Sequence, residues 1–349
     1  MIEEIASSAN LDAAYAWLCK ARREAHDNND VWHLRFHWKT YKPHIKQQLL
    51  NGTYCFKGCT SYKVNGQYVS LWAAEDALVL KALSLVFTQK LSPQLAKECY
   101  HIAGNGGSKT CVTRIKQQVN HYKFVCRSDV DSYYATINHR VLLGVLGRFV
   151  KDQKVLSLIR KMLTRVDDVN GVLHVANKGI TKGNPLSPLL GALYLYQMDS
   201  ELGAYCRQRG LVYARFMDDW VVLCKTRYQL RDVVRIMNKN LQAVQQTKHP
   251  FKTYIGKMKA LGFDFLGYRI EPNHEPLKMA WKTWANYQDK LLQLYEQNTC
   301  TTAIATYVKH WIIWAKSGVP INLEHVIRVA KQKLESLGIA KETLAAINL

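Results

Sequence analysis

Hydrophobic positions recur at helical spacing through the first third of the chain. This spacing predicts a helix over 11–24 with Asn10 as its N-cap, and a second helix over 31–50. A strongly apolar run predicts a buried helix over 73–91, and a basic helix is predicted over 109–122. The N-terminal third is therefore expected to be mainly helical.

Strand-like patterns follow in the middle of the chain, and helical patterns return at its end. Residues 54–56 and 60–68, interrupted at Asn65-Gly66, predict a hairpin, and a further strand begins at Phe124. After residue 277, three helix-like stretches are separated by polar and glycine-proline breaks. This pattern predicts a small C-terminal helical domain.

Two adjacent carboxylates, Asp218 and Asp219, lie between apolar runs at 211–216 and 220–224. This arrangement predicts a tight hairpin that presents both acids at its tip. Like charges beside apolar surface raise the free energy of the fold unless a cation neutralises them. An Asp-Asp pair alone is more often a solvated turn, and that is our interpretation of Asp167-Asp168.

The composition narrows the class of partner. The 349 residues, 48% of them apolar, are enough for two or three folded domains, and 48 Lys and Arg against 27 Asp and Glu give a net charge of +21. This charge favours nucleic acid over a membrane as partner. No apolar run approaches the roughly 20 residues of a membrane span, and the N-terminus lacks a signal-peptide pattern, so we expect a cytoplasmic protein. Nine irregularly spaced cysteines suit reduced thiols, and we interpret Cys55 and Cys59 as structural.

Asp129 ends a strand-like run that is similar in character to the run before Asp218. Two strands that deliver carboxylates to one sheet edge would form a site for paired Mg²⁺ ions, which prefer oxygen ligands. Phosphoryl transfer depends mainly on positioning and charge neutralisation. From the residues alone, a basic chain with this cluster is a nucleic-acid polymerase or a nuclease.

Five segments resemble, in order, the palm motifs of reverse transcriptases, and the resemblance is closest to the bacterial group II intron and retroelement lineage. The segments are Asp129-x-x-x-Tyr133-Tyr134, Lys182-Gly-Asn-Pro-Leu-Ser-Pro188, Phe216-Met-Asp-Asp219, Lys252-Thr253 and Phe265-Leu-Gly-Tyr268. The resemblance covers residues 52–270 and implies an α+β, right-hand polymerase fold with an antiparallel palm sheet. The implied divisions are N-terminal helices and fingers over 1–123, a palm over 124–270 with finger-associated helices around 140–165, and a helical thumb over 271–349.

The resemblance also implies the chemistry of an RNA-directed DNA polymerase, which is a nucleotidyltransferase. Such an enzyme uses two Mg²⁺ ions, and Mn²⁺ is an alternative. The implied metal ligands are Asp129, Asp218, Asp219 and the backbone carbonyl of Val130. Lys252 matches a lysine that can protonate leaving pyrophosphate, with an ordinary surface lysine as the equal alternative.

Further residues match the pockets for nucleotide and primer. Tyr134 matches the steric gate that excludes a ribose 2′-hydroxyl, with a core aromatic as the alternative. The other residues implied at the nucleotide are Lys63, Tyr133, Lys182, Gly183 and Ser187. Phe265, Leu266, Gly267 and Tyr268 match the primer-grip hairpin, and packing between thumb and palm is the alternative for them.

The chain departs from the family pattern at three places. Lys182 stands where glutamine is usual, Phe216 stands where tyrosine is commoner, and no arginine follows Lys63 in the fingers. The triphosphate would then be held by Lys57, Lys63 or Lys182, although lysine lacks the planar fork of arginine. These differences bear on template use more than on metal chemistry.

The implied partners are an RNA template, a DNA primer or product, and deoxynucleotides. We expect a free-standing bacterial enzyme, because no nuclease or maturase-like segment follows the thumb pattern, and we favour a role in anti-phage defence on a dedicated non-coding RNA. Pairing with a second copy or with a partner reverse transcriptase is also open. Two alternatives remain: template-independent or protein-primed DNA synthesis, and a non-catalytic RNA-binding protein that uses its basic helices.

Overall fold

The centre of the molecule is a four-stranded antiparallel sheet built from the runs that carry the acids. A computed structural model describes residues 1–64 and 67–336, with only the backbone of residues 63, 64, 67 and 68. The central strands are β3 (Phe124–Ser128), β6 (Val212–Phe216), β7 (Asp219–Cys224) and β8 (Tyr254–Lys257). Their order is β6-β7-β3-β8, with every neighbouring pair antiparallel.

Both faces of the central sheet are buried, which accounts for its nearly continuous apolar runs. Val125 and Val221 pack into one hydrophobic cluster, whereas Cys126 and Val222, the next residue on each strand, pack into another. This alternation follows from the two-residue period of a strand. The predicted hairpin around Asp218 is therefore confirmed as β6 and β7.

Helices surround one face of the sheet and form the N-terminal part of the fold. The predicted helix over 31–50 is two helices that separate at His37, where the backbone leaves the helical conformation (φ −100°, ψ 19°). Asn10 was wrong as an N-cap, because Ser7 caps that helix, and the Asn10 side chain instead donates to the carbonyls of Ile5 (2.9 Å) and Ala82 (3.1 Å). The N-terminal helices are α1 (Ile2–Ile5), α2 (Ser8–Ala21), α3 (Asp30–Phe36), α4 (Trp38–Asn51), α5 (Ala74–Leu91) and α6 (Gly107–Gln118). Later helices are α7 (Tyr133–Thr136), α8 (His139–Phe149), α9 (Gln153–Leu163), α10 (Ser187–Tyr194), α11 (Tyr196–Arg209) and α12 (Arg227–Ala243).

A second four-stranded sheet lies outside the central one. Its strands are β1 (Cys59–Val64), β2 (Gln67–Trp72), β4 (Val166–Val169) and β5 (Val172–Val175), in the order β2-β1-β4-β5. The predicted hairpin exists but begins later than expected, and its break at Asn65-Gly66 lies outside the described residues. The turn predicted at Asp167-Asp168 was wrong, because both residues belong to β4, where Asp167 accepts a hydrogen bond from the buried Cys59 thiol (2.7 Å).

Up to residue 336, the C-terminal part consists of a short sheet followed by the three predicted helices. The sheet contains β9 (Phe263–Phe265), β10 (Tyr268–Ile270) and β11 (Lys278–Met279), and the helices are α13 (Trp281–Glu296), α14 (Thr301–Lys316) and α15 (Leu323–Ser336). Their shared core includes Tyr287, Val308 and Ala330. All nine cysteines are free thiols. Within the described ranges, no helix is both long enough and apolar enough to cross a membrane.

Candidate active site

Three carboxylates meet at one end of the central sheet. Ser128 on β3 pairs with Trp220 on β7, so Asp129, just beyond the end of β3, and Asp219, the first residue of β7, lie side by side. Asp218 lies in the two-residue turn between β6 and β7, because Phe216 pairs with Asp219. The strand register therefore brings together the three acids that are far apart in sequence.

Burial and neighbouring negative charge raise the pKa of two of the three acids. Burial, and next the negative charge of Asp129, raise the pKa of Asp218 to about 6. Burial raises the pKa of Asp219 to about 7, with further contributions from the charges of Asp129 and Asp218. This environment disfavours the ionised form of both carboxyl groups. A bound cation would favour their ionised forms.

The donor set fits divalent metal ions in its chemistry. One carboxylate oxygen of Asp129 and one of Asp219 are buried without a hydrogen-bond partner. Unpaired buried carboxylate oxygens are costly unless a cation or a donor reaches them. Among the described residues, no three His, Cys, Asp or Glu side chains are already set to share one ion. Side-chain movement would therefore accompany metal binding at Asp129, Asp218 and Asp219.

Lys252 contacts Asp129, one of the candidate metal ligands. Its ammonium donates a hydrogen bond to the Asp129 carboxylate. Burial by itself would lower the pKa of Lys252, but pairing with Asp129 and the nearby acids outweighs it and raises the pKa. Lys252 thus supplies a positive charge beside the acids, while its role as a proton donor to pyrophosphate stays a prediction.

The segment before Lys252 is held against the end of β3. The His249 N–H donates to the Asp129 carbonyl (2.7 Å), and the Asp131 N–H donates to the Thr247 carbonyl (3.0 Å). These two bonds flank Val130, which forms an antiparallel bridge with Lys248, and they leave the Val130 carbonyl facing away from the segment. The role of the Val130 carbonyl as a metal ligand stays a prediction.

The turn that carries Asp218 is held by two side chains that the sequence analysis missed. Met217 has φ of +56°, a left-handed conformation that non-glycine residues rarely adopt. Its N–H donates to Nδ1 of His101 (2.9 Å), and Nε2 of His101 lies 3.2 Å from the Pro188 carbonyl. Burial lowers the pKa of His101 to about 3, so its imidazole is neutral at physiological pH.

The second support is Arg215, which is fully buried on β6. Its guanidinium donates to the Met217 carbonyl and pairs with Asp199, with Nε to Oδ1 at 2.7 Å. Both peptide groups of the Met217 residue are therefore fixed by side chains from elsewhere. No local pattern signals this, because His101 and Asp199 are distant in sequence from the turn.

The two predicted tyrosines occupy different positions. Tyr133 is buried, its hydroxyl donates to the Gly191 carbonyl (2.5 Å), and its ring meets the Tyr134 ring edge to face with centroids 5.3 Å apart. Tyr134 is partly exposed and lies near Asp218, whose charge, after burial, contributes to raising its pKa to about 12. A side chain at Gly191 would meet both tyrosine rings, with the Tyr133 ring 3.2 Å away.

The glycine-proline loop at 178–188 joins the acids to the outer sheet. Ser187 uses its hydroxyl to donate to the Thr181 carbonyl (2.8 Å), and Thr181 in turn accepts from the Trp72 indole (2.9 Å). Gly183 has φ of +85°, and a Cβ added there would lie 4.0 Å from the Ser70 carbonyl oxygen. Ser187 thus shapes the loop rather than facing solvent. Lys182 is exposed on the same loop.

The remaining predicted residues are distributed between the outer sheet and the C-terminal hairpin. The Lys63 side chain lies outside the described residues, and Lys57 pairs with Glu75 (2.6 Å). Phe265 and Tyr268 are buried core residues, and Leu266 and Gly267 form the tip of their hairpin. Tyr268 packs against α14, where its ring stacks on Trp314 (centroids 6.0 Å apart). Phe265 and Tyr268 therefore pack in the core, and the primer-grip assignment of this hairpin stays a prediction.

Residues 77–270 match the family model described as reverse transcriptase (RNA-dependent DNA polymerase), more than half of the chain. The chain belongs to the reverse transcriptase family. This membership confirms the predicted resemblance and the mixed α+β polymerase-like fold.

Two curated proteins are similar to shorter segments of the chain, and a solved structure is similar to a longer one. The group II intron-encoded protein LtrA of Lactococcus lactis subsp. cremoris is 25% identical over 36% of this chain and 21% of that protein. Protein YkfC of Escherichia coli (strain K12) is 25% identical over 42% of this chain and 47% of that protein. A solved structure described as a partial Cas6-RT-Cas1--Cas2 complex is 21% identical with a TM-score of 0.41, and covers 69% of this chain and 41% of that chain. The chain spans less than half the length of each of these relatives.

Proposed function

We propose that the chain is an RNA-directed DNA polymerase that adds deoxynucleotides to a primer 3′-hydroxyl. The observation that carries this proposal is the convergence of Asp129, Asp218 and Asp219, two of them with buried oxygens that lack partners. Two Mg²⁺ ions bound by these residues would activate the hydroxyl and neutralise charge on the departing pyrophosphate. On this proposal, residues 1–123 form the fingers and N-terminal helices, 124–270 the palm, and 271–349 the thumb, with β4 and β5 completing the fingers sheet.

The chain's own residues then have distinct roles. Lys252 is held beside the acids and is placed to donate a proton to pyrophosphate. Tyr134 is partly exposed near Asp218, and its ring would exclude a 2′-hydroxyl. The loop with Lys182 and Gly183 would face the incoming nucleotide, and the tip at Leu266-Gly267 would contact the primer.

Primer extension tests the proposal against template-independent synthesis. The purified chain is given an RNA template, an annealed DNA primer and Mg²⁺, with one deoxynucleotide left out at a time. A copying enzyme stops one position before the template calls for the missing base, whereas a template-independent enzyme does not. Replacing Asp129→Asn should abolish extension, while Asp289→Asn, an exposed acid on α13, should leave it unchanged. Absence of extension by the wild type as well as by Asp129→Asn would favour the non-catalytic alternative, whereas equal products from both would remove Asp129 from the catalytic residues.

We extend the proposal to a dedicated non-coding RNA as template and to a role in anti-phage defence. The support is the net charge of +21 and the departures from the family at Lys182 and after Lys63, which fit a specialised template. Sequencing the nucleic acid that copurifies with the chain should reveal one dominant RNA and DNA complementary to it. Phage plaque counts should fall on cells that express the wild type but not on cells that express Asp218→Asn with Asp219→Asn.

A further inference from the structure

A groove lies between α12 and the edge strand β8, on the side of the central sheet where α12 packs. Its volume is about 950 Å³, and its lining includes Val234 of α12 and Ile255 of β8. The rim carries Arg227 and Arg231 on α12 and Lys257 on β8. The groove therefore combines an apolar floor with a cationic rim.

The groove is separate from the candidate active site. Lys257 pairs with Phe124, the first residue of β3, whereas Asp129 follows the last residue of the same strand. Five residues of strand correspond to about 16 Å. A ligand in the groove would therefore not compete directly with a primer end at the acids.

The described residues place no carboxylate in ion-pair contact with the cations of the rim, although Arg231 contributes, after the Tyr205 hydroxyl and Arg235, to lowering the pKa of Asp232. Within the part of the chain that the structure describes, none of Arg227, Arg231 and Lys257 forms an ion pair with a carboxylate, and the groove lining contains no acidic residue. Arg227 and Arg231 are four residues apart and so lie on the same side of α12. Three unpaired cations around one depression are complementary to a polyanion.

An exposed aromatic ring indicates which polyanion fits. Tyr228 is 73% exposed, and the guanidinium of Arg231 lies over its ring at 5.4 Å from the centroid. Unpaired bases stack on aromatic side chains and on Arg planes, while neighbouring phosphates bind cations. An acidic peptide would use the same cations but has no flat base to stack on Tyr228.

We infer that this groove is a second RNA-binding site, which holds an unpaired segment of the RNA outside the polymerase cleft. RNA as the partner rests on the proposed function. The groove would anchor the RNA on the back of the palm while another part of the same molecule serves as template.

A binding measurement with the cleft blocked tests this inference. The full chain is saturated with an annealed RNA–DNA primer-template, and fluorescent oligouridine of about 15 nucleotides is then titrated by anisotropy. Arg227→Gln with Arg231→Gln and Lys257→Gln should weaken this second binding at least about ten-fold and reduce the salt slope by about 2, since each lost phosphate contact contributes roughly 0.7. The matched control, Lys20→Gln with Lys39→Gln and Lys151→Gln on exposed helical and loop positions, should change affinity by less than about two-fold.

A second variant separates stacking from charge. Tyr228→Leu keeps apolar surface but removes the π-face, so it should weaken oligouridine binding about five- to ten-fold and leave the salt slope unchanged. With 5-iodouridine in the probe, light should cross-link the RNA to Tyr228 in the wild type.

Three outcomes would overturn the inference. They are absence of oligouridine binding to the blocked wild type, equal loss in the lysine control, and equal competition by an oligoglutamate peptide, which would assign the groove to an acidic protein partner. Primer extension on the annealed substrate is measured in parallel. If extension fails while oligouridine still binds at Tyr228, the proposed polymerase activity is wrong and the RNA site stands.

Discussion

Two hairpins of this molecule have tips of the same length but are fixed in different ways. The tip of β6–β7 is Met217-Asp218, and the tip of β9–β10 is Leu266-Gly267. In the second tip both residues have positive φ, +47° and +88°, as a type I′ turn requires, and glycine supplies one of them. In the first tip the left-handed residue is Met217, and contacts with His101 and Arg215 hold it.

Both tips contain a non-glycine residue with positive φ, Met217 in the first and Leu266 in the second. The second tip also has a glycine, whose carbonyl accepts from the Ala280 N–H (3.0 Å) and the Thr283 hydroxyl (2.8 Å) at the start of the next helix. The first tip instead depends on His101, which is 116 residues away in sequence. A non-glycine residue in the left-handed region costs about 1 kcal/mol or more, and such residues cluster at functional sites. Here the strained position directly precedes Asp218. The comparison leads us to expect that the first hairpin is sensitive to distant substitutions and the second to local ones.

The largest effect is expected from removing charge at the first tip. Asp218→Asn should reduce primer extension at least about 1,000-fold, because it removes a carboxylate on which metal binding and charge neutralisation depend. Turnover is measured on an annealed RNA–DNA substrate at saturating Mg²⁺, with Asp289→Asn as the control. Activity within ten-fold of wild type would remove Asp218 from the metal ligands.

The second-largest effect is expected from removing the His101 contacts that hold the Met217-Asp218 tip. His101→Phe keeps an aromatic ring but leaves the Met217 N–H and the Pro188 carbonyl without partners, each costing about 1–3 kcal/mol. We expect turnover to fall roughly ten- to one-hundred-fold at saturating nucleotide, with a smaller change in primer affinity. The measurement is a comparison of kcat and KM for one deoxynucleotide. Equal loss of primer binding and turnover would indicate general unfolding instead.

The central sheet and its acids could be anticipated from the sequence, whereas their supports could not. The apolar runs around Asp218 have a strand period and a polar interruption, and family resemblance linked them to Asp129. His101 carries no such signal, because a single histidine in a loop has many ordinary roles. Its contact with Met217 depends on how α10, β6 and the loop before α6 pack together. Asp167 was misplaced for a similar reason, since pairing with β1 turned a polar stretch into a strand.

The third prediction concerns pH and the charge carried by the first tip. The pKa of Asp218 is raised to about 6 and that of Asp219 to about 7, above the value near 4 of unfolded chains. Between about pH 4 and pH 7 the folded state therefore binds more protons than the unfolded state, so the free energy of unfolding falls as pH rises through this range. In EDTA, the urea midpoint should be higher at pH 5 than at pH 8.

Two controls identify the source of this pH dependence. Asp218→Asn with Asp219→Asn should flatten it, because the titrating carboxyls are gone. Mg²⁺ should also narrow the difference in the wild type, since a bound cation favours the ionised carboxylates. The same slope in the double variant would place the responsible groups elsewhere in the chain.

The smallest effects on stability are expected from two substitutions at positions with positive φ: one adds a side chain at Gly267, and the other removes the side chain of Met217. Gly267→Ala should lower the free energy of unfolding by about 1–2 kcal/mol, because its φ is +88° and the added Cβ would lie 3.3 Å from the Thr283 hydroxyl. Met217→Gly relieves the strain of the left-handed conformation but raises the conformational entropy of the unfolded chain. The two effects oppose each other, so the free energy of unfolding should change by less than about 1 kcal/mol. Urea denaturation in EDTA at one pH measures both. If Met217→Gly also restores part of the turnover lost in His101→Phe, the histidine acts by holding the left-handed residue, because glycine adopts that conformation without support.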